Sequence, residues 1–330
     1  MKLLKALLLA VGAVVLWRTF AAVDWATAGE ALKRLDTVHC IFLFCLYAAV
    51  YYLNAAGWIF SYPADLKERL SVFTFFRVRL IGETLNNLIP FSASVGGEPV
   101  KAEILRRNHG IPLADSYAAI LIVHVTFNLS LNVFVLGAWW AARGIYTVPD
   151  KLWQAVAVFL IVLFAATAGL VWALVSGLFE KSAGLARGLP LIGARLEGKT
   201  DRLRALDRAI RDYFRRPVWL AVSTLFNLAA WMTGVFEVYF GLRWLGSPVS
   251  LSQAWFLEAT VQCVRVGTFF IPSGIGSQEA GIVWLFGQCG ISGPVAAAFA
   301  VVRRLRELLW FALGLALWSA TRERGTTARG

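Results

Sequence analysis

Two apolar segments, each interrupted by proline and glycine, constrain the fold of this chain more than any other feature. The first break contains Pro90, Gly96, Gly97 and Glu98, and the second contains Pro272, Gly274, Gly276 and Glu279. Each break carries one glutamate in an otherwise very hydrophobic stretch. Inside a membrane, helix breakers and a carboxylate are costly unless they line a cavity buried within protein. The pattern therefore predicts a membrane protein whose two breaks line an internal cavity.

The composition places the chain in a membrane rather than in water. Of the 330 residues, 58% are hydrophobic and 16% are charged, whereas a soluble domain is about 25% charged. Several apolar runs reach the ~20 residues that cross the hydrocarbon of a bilayer. The predicted fold is therefore all-α and polytopic, with about six spanning helices. We place these helices at 3–23, 38–60, 114–141, 153–176, 218–244 and 294–319.

The charge distribution predicts the orientation in the membrane. The net charge of +12 would favour nucleic acid in a soluble protein, but here the positive-inside rule explains it without a nucleic-acid partner. We expect a bacterial inner-membrane protein with both termini in the cytoplasm. The basic segments 61–79, 101–107 and 180–216 and the basic C-terminal tail are predicted to be cytoplasmic. The loops 24–37, 143–151 and 246–254 are predicted to lie outside.

This loop assignment predicts an inverted-topology repeat. Residues 80–100 must enter and leave on the cytoplasmic side, and residues 251–290 must do so on the outer side. Each segment is therefore a re-entrant hairpin. The offset from Glu98 to Glu279 is 279 − 98 = 181 residues, and it also superimposes the apolar helices that precede the two breaks. We divide the single transmembrane domain 1–330 into repeat 1 at about 38–141, a basic connector at about 180–216 and repeat 2 at about 218–319.

The segment 196–216 has the pattern of a basic amphipathic helix. Apolar residues recur at three- and four-residue steps, and lysine or arginine covers the remaining faces. Two interpretations remain open. The helix contacts anionic lipid at the cytoplasmic interface, or it is a solvated connector between the two halves.

Glu98 and Glu279 are the leading candidates for substrate binding, because an intramembrane carboxylate usually marks a functional site. The alternative is that each one caps the helix that restarts after its break. The N-termini that follow Gly97 and Gly276 could hold a phosphate or a hydroxyl group.

Polar residues of the helices after the breaks are further candidates. In the last helix these are Arg303 and Glu307, and the corresponding stretch of the first repeat offers His124 and Asn128. Arg303 either contacts a lipid phosphate, whose oxygens match its fork, or pairs with a neighbouring carboxylate, Glu279 or Glu307, as a structural lock.

Polar residues around the first break have a structural interpretation. Glu83 follows Arg79 by four residues, a spacing that allows a helical ion pair. Asn86 and Asn87 could satisfy backbone groups that the break leaves free. Three further charged residues in apolar surroundings, Glu237, Glu258 and Arg265, are secondary candidates.

The chain shows few signs of enzyme chemistry. It has no nucleotide-binding, serine-hydrolase or zinc-protease motif, and nothing identifies a nucleophile. The four cysteines and three histidines do not have the spacing of a metal site or of a disulfide framework. We therefore predict no catalytic residue, no metal and no cofactor.

At the two breaks the sequence resembles a known family. Asn87 to Pro90, Gly97, Glu98 and the basic stretch from Lys101 to Arg107 resemble the first conserved block of the flippase-like transmembrane domain of lysylphosphatidylglycerol synthases. Residues 271–279 resemble its second block, usually written Pro-Gly-Gly-x-Gly-x-x-Glu. The sequence Gly-Ser-Gln-Glu-Ala-Gly in this block is most similar to stand-alone members associated with hopanoid biosynthesis.

The chain departs from the family pattern in two places. Ser273 stands where the family usually has glycine, and the family's usual arginine after the first block is replaced near His124. The chain also ends shortly after its last predicted helix, without the soluble aminoacyl-transferase domain. The resemblance therefore implies lipid translocation without lipid aminoacylation.

We therefore expect a protein that moves an amphipathic lipid, anionic or of polyisoprenoid or hopanoid type, between leaflets. The headgroup would cross a polar cavity lined by both breaks, by Glu98 and Glu279, and by Arg303. The alternative is a non-catalytic accessory subunit, or a membrane-embedded enzyme, of hopanoid or lipid biosynthesis. The expected partners are membrane lipids, together with lipid-biosynthesis enzymes in the alternative case.

Overall fold

The structure is a computed structural model that describes residues 2–68, 70–88, 96–143, 150–186, 200–269 and 271–327. These residues form fourteen α-helices, one 3-10 turn and no strand, which confirms the prediction of an all-α protein. Some of the predicted features lie outside the described residues. They are Pro90 with the rest of 89–95, most of the loop 143–151, residues 187–199 of the basic segment 180–216, and the end of the basic C-terminal tail.

The helices follow the order expected from hydropathy. In the first half, α1 spans Lys2–Ala21, α2 Trp25–Leu32, α3 Thr37–Ile59, α4 Ala64–Lys67, α5 Val72–Leu88, α6 Glu98–His109 and α7 Leu113–Ala141. In the second half, α8 spans Asp150–Val175, α9 Leu178–Ala186, α10 Thr200–Phe214, α11 Pro217–Trp244, α12 Leu251–Gly267, the 3-10 turn Pro272–Gly274, α13 Ser277–Gln288 and α14 Gly293–Thr327. The six predicted spans coincide with α1, α3, α7, α8, α11 and α14.

Four of these helices are long and apolar enough to cross a membrane by length and composition. They are α3, α7, α8 and α11, with mean hydropathies of 1.7, 2.0, 2.6 and 1.5. In α1 the described apolar stretch is the shorter Ala10–Ala21. The 35-residue helix α14 carries three arginines and a glutamate near its middle. The chain is therefore a polytopic all-α membrane protein.

Helices α3 and α11 pack against each other in opposite directions. His39 at the start of α3 stacks on Trp244 at the end of α11, with 4.2 Å between the ring centroids. At the other end, Phe60 stacks on Phe226 with a centroid distance of 5.7 Å. These two contacts fix the helices as antiparallel.

The order of elements in the first half recurs in the second. The offset of 279 − 98 = 181 residues carries α3 onto α11, α5 onto α12, α6 onto α13 and α7 onto α14, with starting residues that agree within two positions. In each half, the helix before the break packs on the long helix that follows the break in the other half. Thus α5 packs on α14, and α12 packs on α7. Together with the antiparallel α3 and α11, this correspondence supports the proposal of an inverted repeat.

The basic amphipathic segment forms α10, and its apolar face packs on protein. Leu206, Ile210 and Tyr213 are buried in a cluster with residues of α7 and α8. Asp207 is also buried, and its carboxylate accepts the backbone N–H of Glu180 at the start of α9 at 2.7 Å. The exposed arginines of this helix face away from this cluster and are available for contact with anionic lipid.

Candidate functional site

At the first break, α5 and α6 meet through an asparagine and a glycine. The backbone N–H of Gly97 donates to Oδ1 of Asn86 at 2.6 Å, so this asparagine satisfies a backbone group at the break, as the sequence predicts. A methyl group on Gly97 would overlap the carbonyl oxygen of Gly82 on α5. A glycine at 97 therefore allows α6 to begin directly against α5.

Glu98, the first residue of α6, belongs to a row of charged side chains. Its Oε1 accepts from Nζ of Lys101 at 2.9 Å and from Nδ2 of Asn86 at 3.2 Å. The same Lys101 Nζ lies 3.1 Å from Oε1 of Glu83. Glu83 in turn lies 3.9 Å from Arg79, the predicted helical pair. The positive end of the α6 dipole also favours the carboxylate at this position.

The second break contains a left-handed serine. Ser273 has a φ of 52° and is the non-glycine residue with positive φ in the described part of the chain. This conformation costs about 1–2 kcal/mol for a residue with a side chain. The Ser273 hydroxyl donates to the carbonyl oxygen of Asn87 at 2.6 Å. The Ser273 side chain therefore links the second break to the first.

Glu279 both caps α13 and binds an arginine. Its Oε2 accepts the backbone N–H of Gly276 at 2.8 Å, so the capping interpretation is correct for this residue. Its Oε1 accepts from Nε of Arg304 at 2.6 Å. Arg304 also donates to Glu307 at 3.1 Å and to the carbonyl oxygen of Ser273 at 3.2 Å. This arginine therefore ties the second break to α14.

Arg303 has a different partner from the one predicted. Its two terminal nitrogens donate to the carboxylate of Glu258 on α12 at 2.7 and 2.9 Å. Gln262 donates to the same carboxylate at 2.5 Å. The prediction that Arg303 pairs with Glu279 or Glu307 is therefore wrong. Successive residues of a helix point about 100° apart, so Arg304, not Arg303, faces the second break.

Glu307 lies between two arginines of its own helix. Arg304 binds it from one side, and Nη2 of Arg306 lies 3.8 Å away on the other. Arg306 is buried, pairs with Glu237 of α11 and stands 3.7 Å from the ring centroid of Tyr47. Residues of α3, α11 and α14 thus hold the Glu307 carboxylate in place.

A cavity of about 450 Å³ lies between the two breaks. Its volume falls within the range of about 300–1,000 Å³ that is typical of small-molecule sites. Its charged and polar lining consists of Tyr47, Tyr51, Asn54, Arg79, Glu83, Asn86, Asn87, Lys101, His124, Asn128, Gln262, Arg265, Thr268, Ser273, Gln278 and Glu307. Its apolar lining includes Val123, Phe127, Leu131, Trp231, Val266, Phe269, Ile271 and Phe311. The cavity can therefore accept a molecule with a polar and an apolar part.

Some of the predicted site residues line this cavity and others lie behind it. His124, Asn128, Gly274 and Glu307 are in the lining. His124 and Asn128 are one turn apart on α7 and so share its inner face. The predicted residues that do not contribute to the lining are Glu98, Glu279, Arg303, Gly96, Gly97, Pro272 and Gly276. Glu98 and Glu279 instead position basic residues, Lys101 and Arg304.

The sequence interpretation missed several residues of the lining. The sequence indicates a structural role for Arg79 and Glu83, offers Arg265 as a secondary candidate, and places Lys101 among the charges of a cytoplasmic segment. The spacing of polar residues along α5 is enough to identify some of these lining residues. Arg79, Glu83, Asn86 and Asn87 are spaced by four, three and one residues, so they lie on one face of α5.

Known proteins match this chain over nearly its whole length, including both breaks and the cavity. The family model described as the lysylphosphatidylglycerol synthase TM region matches residues 5–316. A UPF0104 membrane protein of Methanothermobacter thermautotrophicus is 23% identical over 321 residues, which are 92% of this chain and 91% of the relative. No solved structure matches the chain. Since the family match includes both breaks and every residue that lines the cavity, the chain belongs to the family of lysylphosphatidylglycerol synthase transmembrane regions.

Proposed function

We propose that this protein moves an amphipathic lipid between the two leaflets of a bacterial inner membrane. The headgroup passes through the cavity between the two breaks, and the hydrocarbon tail stays in the bilayer. The observation that carries the proposal is the lining of this cavity. The lining combines charged and amide side chains with aromatic and aliphatic side chains, and both breaks contribute to it.

The charged lining suits a lipid headgroup because it remains stable inside a membrane. Lys101 pairs with Glu83, and Arg304 pairs with Glu307. Ionisable residues at membrane depth are rare, and they mark the paths of polar substrates. Such a lining can replace the hydration of a headgroup as it leaves the aqueous phase.

The apolar lining gives the tail a place beside the headgroup. Phe127 and Trp231 stand in contact in the cavity wall, with 4.7 Å between their ring centroids. Phe269 also lines the cavity, and 68% of its surface is exposed. We place the lateral opening to the bilayer at Phe269, because this side chain both lines the cavity and is exposed on the surface of the protein.

The proposed inverted repeat supplies a mechanism for access from both sides. In transporters of this architecture, one repeat moves against the other around a fixed central site. Here the two halves meet at the break through the hydrogen bond from Ser273 to Asn87. A movement that separates the two breaks opens the cavity to one aqueous face.

Translocation by the purified protein in liposomes tests this proposal. Lipids with a fluorescent headgroup are bleached from outside by an impermeant reductant, and the remaining fluorescence reports the inner leaflet. The set should include an anionic phospholipid, a polyprenyl phosphate and a hopanoid-type lipid. We expect faster bleaching of at least one of them than in protein-free liposomes.

A pair of tryptophan variants localises the activity. Asn128→Trp fills the cavity from α7 and should slow translocation at least tenfold. Leu136→Trp lies two turns further along the same helix, where 54% of the Leu136 surface is exposed, and should keep the wild-type rate. Bleaching no faster than in protein-free liposomes for every lipid would refute the proposal. Equal rates for the two variants would place the route outside this cavity.

A further inference from the structure

We infer that the structure is one of two states of a gate, in which α7 is closed against α11 while α14 is held apart from α3. In the second state the two interfaces are exchanged. The inference rests on the proposed lipid translocation and names the two helix pairs that give access to the cavity in turn. It depends on a loss of symmetry between the halves, on the burial of equivalent residues and on the position of each interface.

Most contacts of the long helices α7 and α14 follow the proposed repeat. The offset of 279 − 98 = 181 residues that carries α7 onto α14 also carries α2, Trp25–Leu32, onto 206–213 of α10. Helix α10 packs on α7, and α2 packs on α14. In the same way α6 packs on α7, and α13 packs on α14. Two halves in the same conformation would therefore bring α14 as close to α3 as α7 is to α11.

A polar seam closes α7 against α11. The hydroxyl oxygens of Thr126 and Ser223 are 3.0 Å apart, and Nδ2 of Asn227 donates to the Thr126 hydroxyl at 3.1 Å. One turn further along, Nε1 of Trp231 donates to the Ser130 hydroxyl at 3.1 Å. Polar groups withdrawn from water are costly unless they have such partners. These five residues, which we call the polar seam, therefore hold the two helices together.

Aromatic side chains hold α14 apart from α3 at the equivalent interface. Trp310 of α14 stacks on Phe44 of α3 with 4.6 Å between the ring centroids, and it lies 5.2 Å from the ring of Tyr51. The backbones of these helices approach each other much less closely than those of α7 and α11. The repeat carries Ser223 onto Phe42, since 223 − 181 = 42. Phe42 is 40% exposed, whereas Ser223 is 0% exposed. The symmetry of the halves is therefore lost at this interface.

The two interfaces lie toward opposite ends of the molecule. Ser223 is one turn after Trp219, which contacts Lys67 at the end that carries the basic helix α10. Phe42 packs on Trp244 at the other end, with 5.5 Å between the ring centroids. Residues of α3, α7, α11 and α14 all line the cavity. The described state therefore closes the cavity toward the basic end, and the exchanged state closes it toward the other end.

The contact of α3 with α11 is common to both states. The repeat carries each of these helices onto the other, so an exchange of the halves leaves their pairing unchanged. A methyl group added to Gly57 of α3 would lie 3.2 Å from Cβ of Phe226 on α11. We therefore take this close contact as the fixed reference about which the two halves exchange their conformations.

Disulfide trapping in the purified full-length protein, in the background without its four natural cysteines, tests the inference. Oxidation of Thr126→Cys with Ser223→Cys should lock the polar seam and slow lipid translocation in liposomes at least tenfold. Reduction should restore the rate of the same variant. The control is Gly57→Cys with Phe226→Cys, whose Cβ atoms lie close to the ~3.8 Å separation of a disulfide. It links α3 to α11, and its oxidation should leave the rate unchanged.

A second cysteine pair reports the exchanged state itself. The repeat carries the contact of Trp231 with Ser130 onto Val50 and Phe311, since 231 − 181 = 50 and 130 + 181 = 311. A short bifunctional thiol reagent should cross-link Val50→Cys to Phe311→Cys when the polar seam is free. When the seam is first locked by its disulfide, the yield should fall at least tenfold. Gel filtration and thermal unfolding establish that each variant is folded.

The outcomes distinguish the gate from the transport proposal. Full-rate translocation with the seam disulfide formed, or equal slowing by the control disulfide, overturns the inference even if the wild type translocates lipid. The same yield of the second cross-link with the seam free and locked, or no cross-link in either case, also overturns it. Cross-linking that depends on the seam in a protein that translocates no lipid keeps the two states and refutes the proposed function.

Discussion

Arg303 and Arg304 are adjacent in the chain, yet they stabilise different parts of the molecule. Arg304 holds the second break through Glu279 and Ser273. Arg303 joins α14 to α12 through two hydrogen bonds to Glu258, and both side chains are buried. Removing one partner of such a pair leaves an uncompensated charge inside the protein, which costs about 3–5 kcal/mol.

We expect Glu258→Gln to destabilise the protein by about 3–5 kcal/mol, because Arg303 then has no counter-charge. Replacing both residues, as Glu258→Leu with Arg303→Met, should recover most of this loss. The measurement is thermal unfolding in detergent. The control is Glu30→Gln at an exposed pair with Lys33, where the change should be below about 1 kcal/mol. Equal effects at the two sites would contradict the assignment of Arg303 to a structural pair.

The partners of these two arginines lie on other helices, and the sequence alone does not predict them. The spacing within α14 indicates which residues share a face, but it does not indicate which carboxylate from another helix meets that face. Glu258 is 45 residues from Arg303, and Glu279 is 25 residues from Arg304. By contrast, the pair of Arg79 and Glu83 lies within one helix, so its spacing was sufficient to predict it.

At the scale of elements, glycines allow backbones to touch at both breaks. Gly97 packs against Gly82 of α5. Gly276 has a φ of +81°, and a side chain there would overlap the carbonyl oxygen of Gly12 on α1. Helix α1 therefore packs directly on the second break, whereas the first break packs on its own preceding helix.

Alanine substitutions test these close contacts. We expect Gly97→Ala and Gly276→Ala each to lower the free energy of unfolding by about 1–3 kcal/mol, because the added methyl overlaps backbone atoms. Gly276→Ala also forces alanine into a left-handed conformation. The control is Gly169→Ala on α8, where nothing lies within 4 Å of the added methyl. It should be neutral or stabilising by up to about 1 kcal/mol. Gly97→Ala as stable as Gly169→Ala would show that this contact is not close.

Hydropathy and helix breakers predicted the long helices well, because these signals are local. The predicted span 218–244 and the observed α11, Pro217–Trp244, differ by one residue at the start. The predicted break in 251–290 appears as the 3-10 turn Pro272–Gly274 between α12 and α13. The environment of α10 was not predictable in the same way. Its periodicity shows that one face is apolar, but it does not show that protein, rather than lipid, covers that face.

At the scale of the whole molecule, contacts between loops assign chain segments to opposite ends. A side chain on Gly246 would overlap Arg34, so the loops 24–37 and 246–254 lie at one end. Lys67 stands 4.9 Å from the ring centroid of Trp219, so the connection after α3 and the start of α11 lie at the other. This grouping agrees with the proposed orientation, in which the basic end faces the cytoplasm.

Labelling of single cysteines in intact cells tests that orientation. The background replaces the four natural cysteines, which are Cys40, Cys45, Cys263 and Cys289. Glu30→Cys and Pro248→Cys should react with an impermeant maleimide added outside. Arg106→Cys should react only after the membrane is permeabilised. If Pro248→Cys is protected in intact cells while Glu30→Cys reacts, the two loops lie on opposite faces and the proposal of an inverted repeat fails.

The central claim is that the cavity between the two breaks belongs to a route across the membrane. The accessibility of Asn128→Cys in the same background tests it most directly, because this side chain lines the cavity from α7. An impermeant thiol reagent is applied to right-side-out and to inside-out vesicles. We expect Asn128→Cys to react in both preparations, whereas the lipid-facing control Leu136→Cys reacts in neither. Reaction of Asn128→Cys from one side only would contradict a route that crosses the membrane.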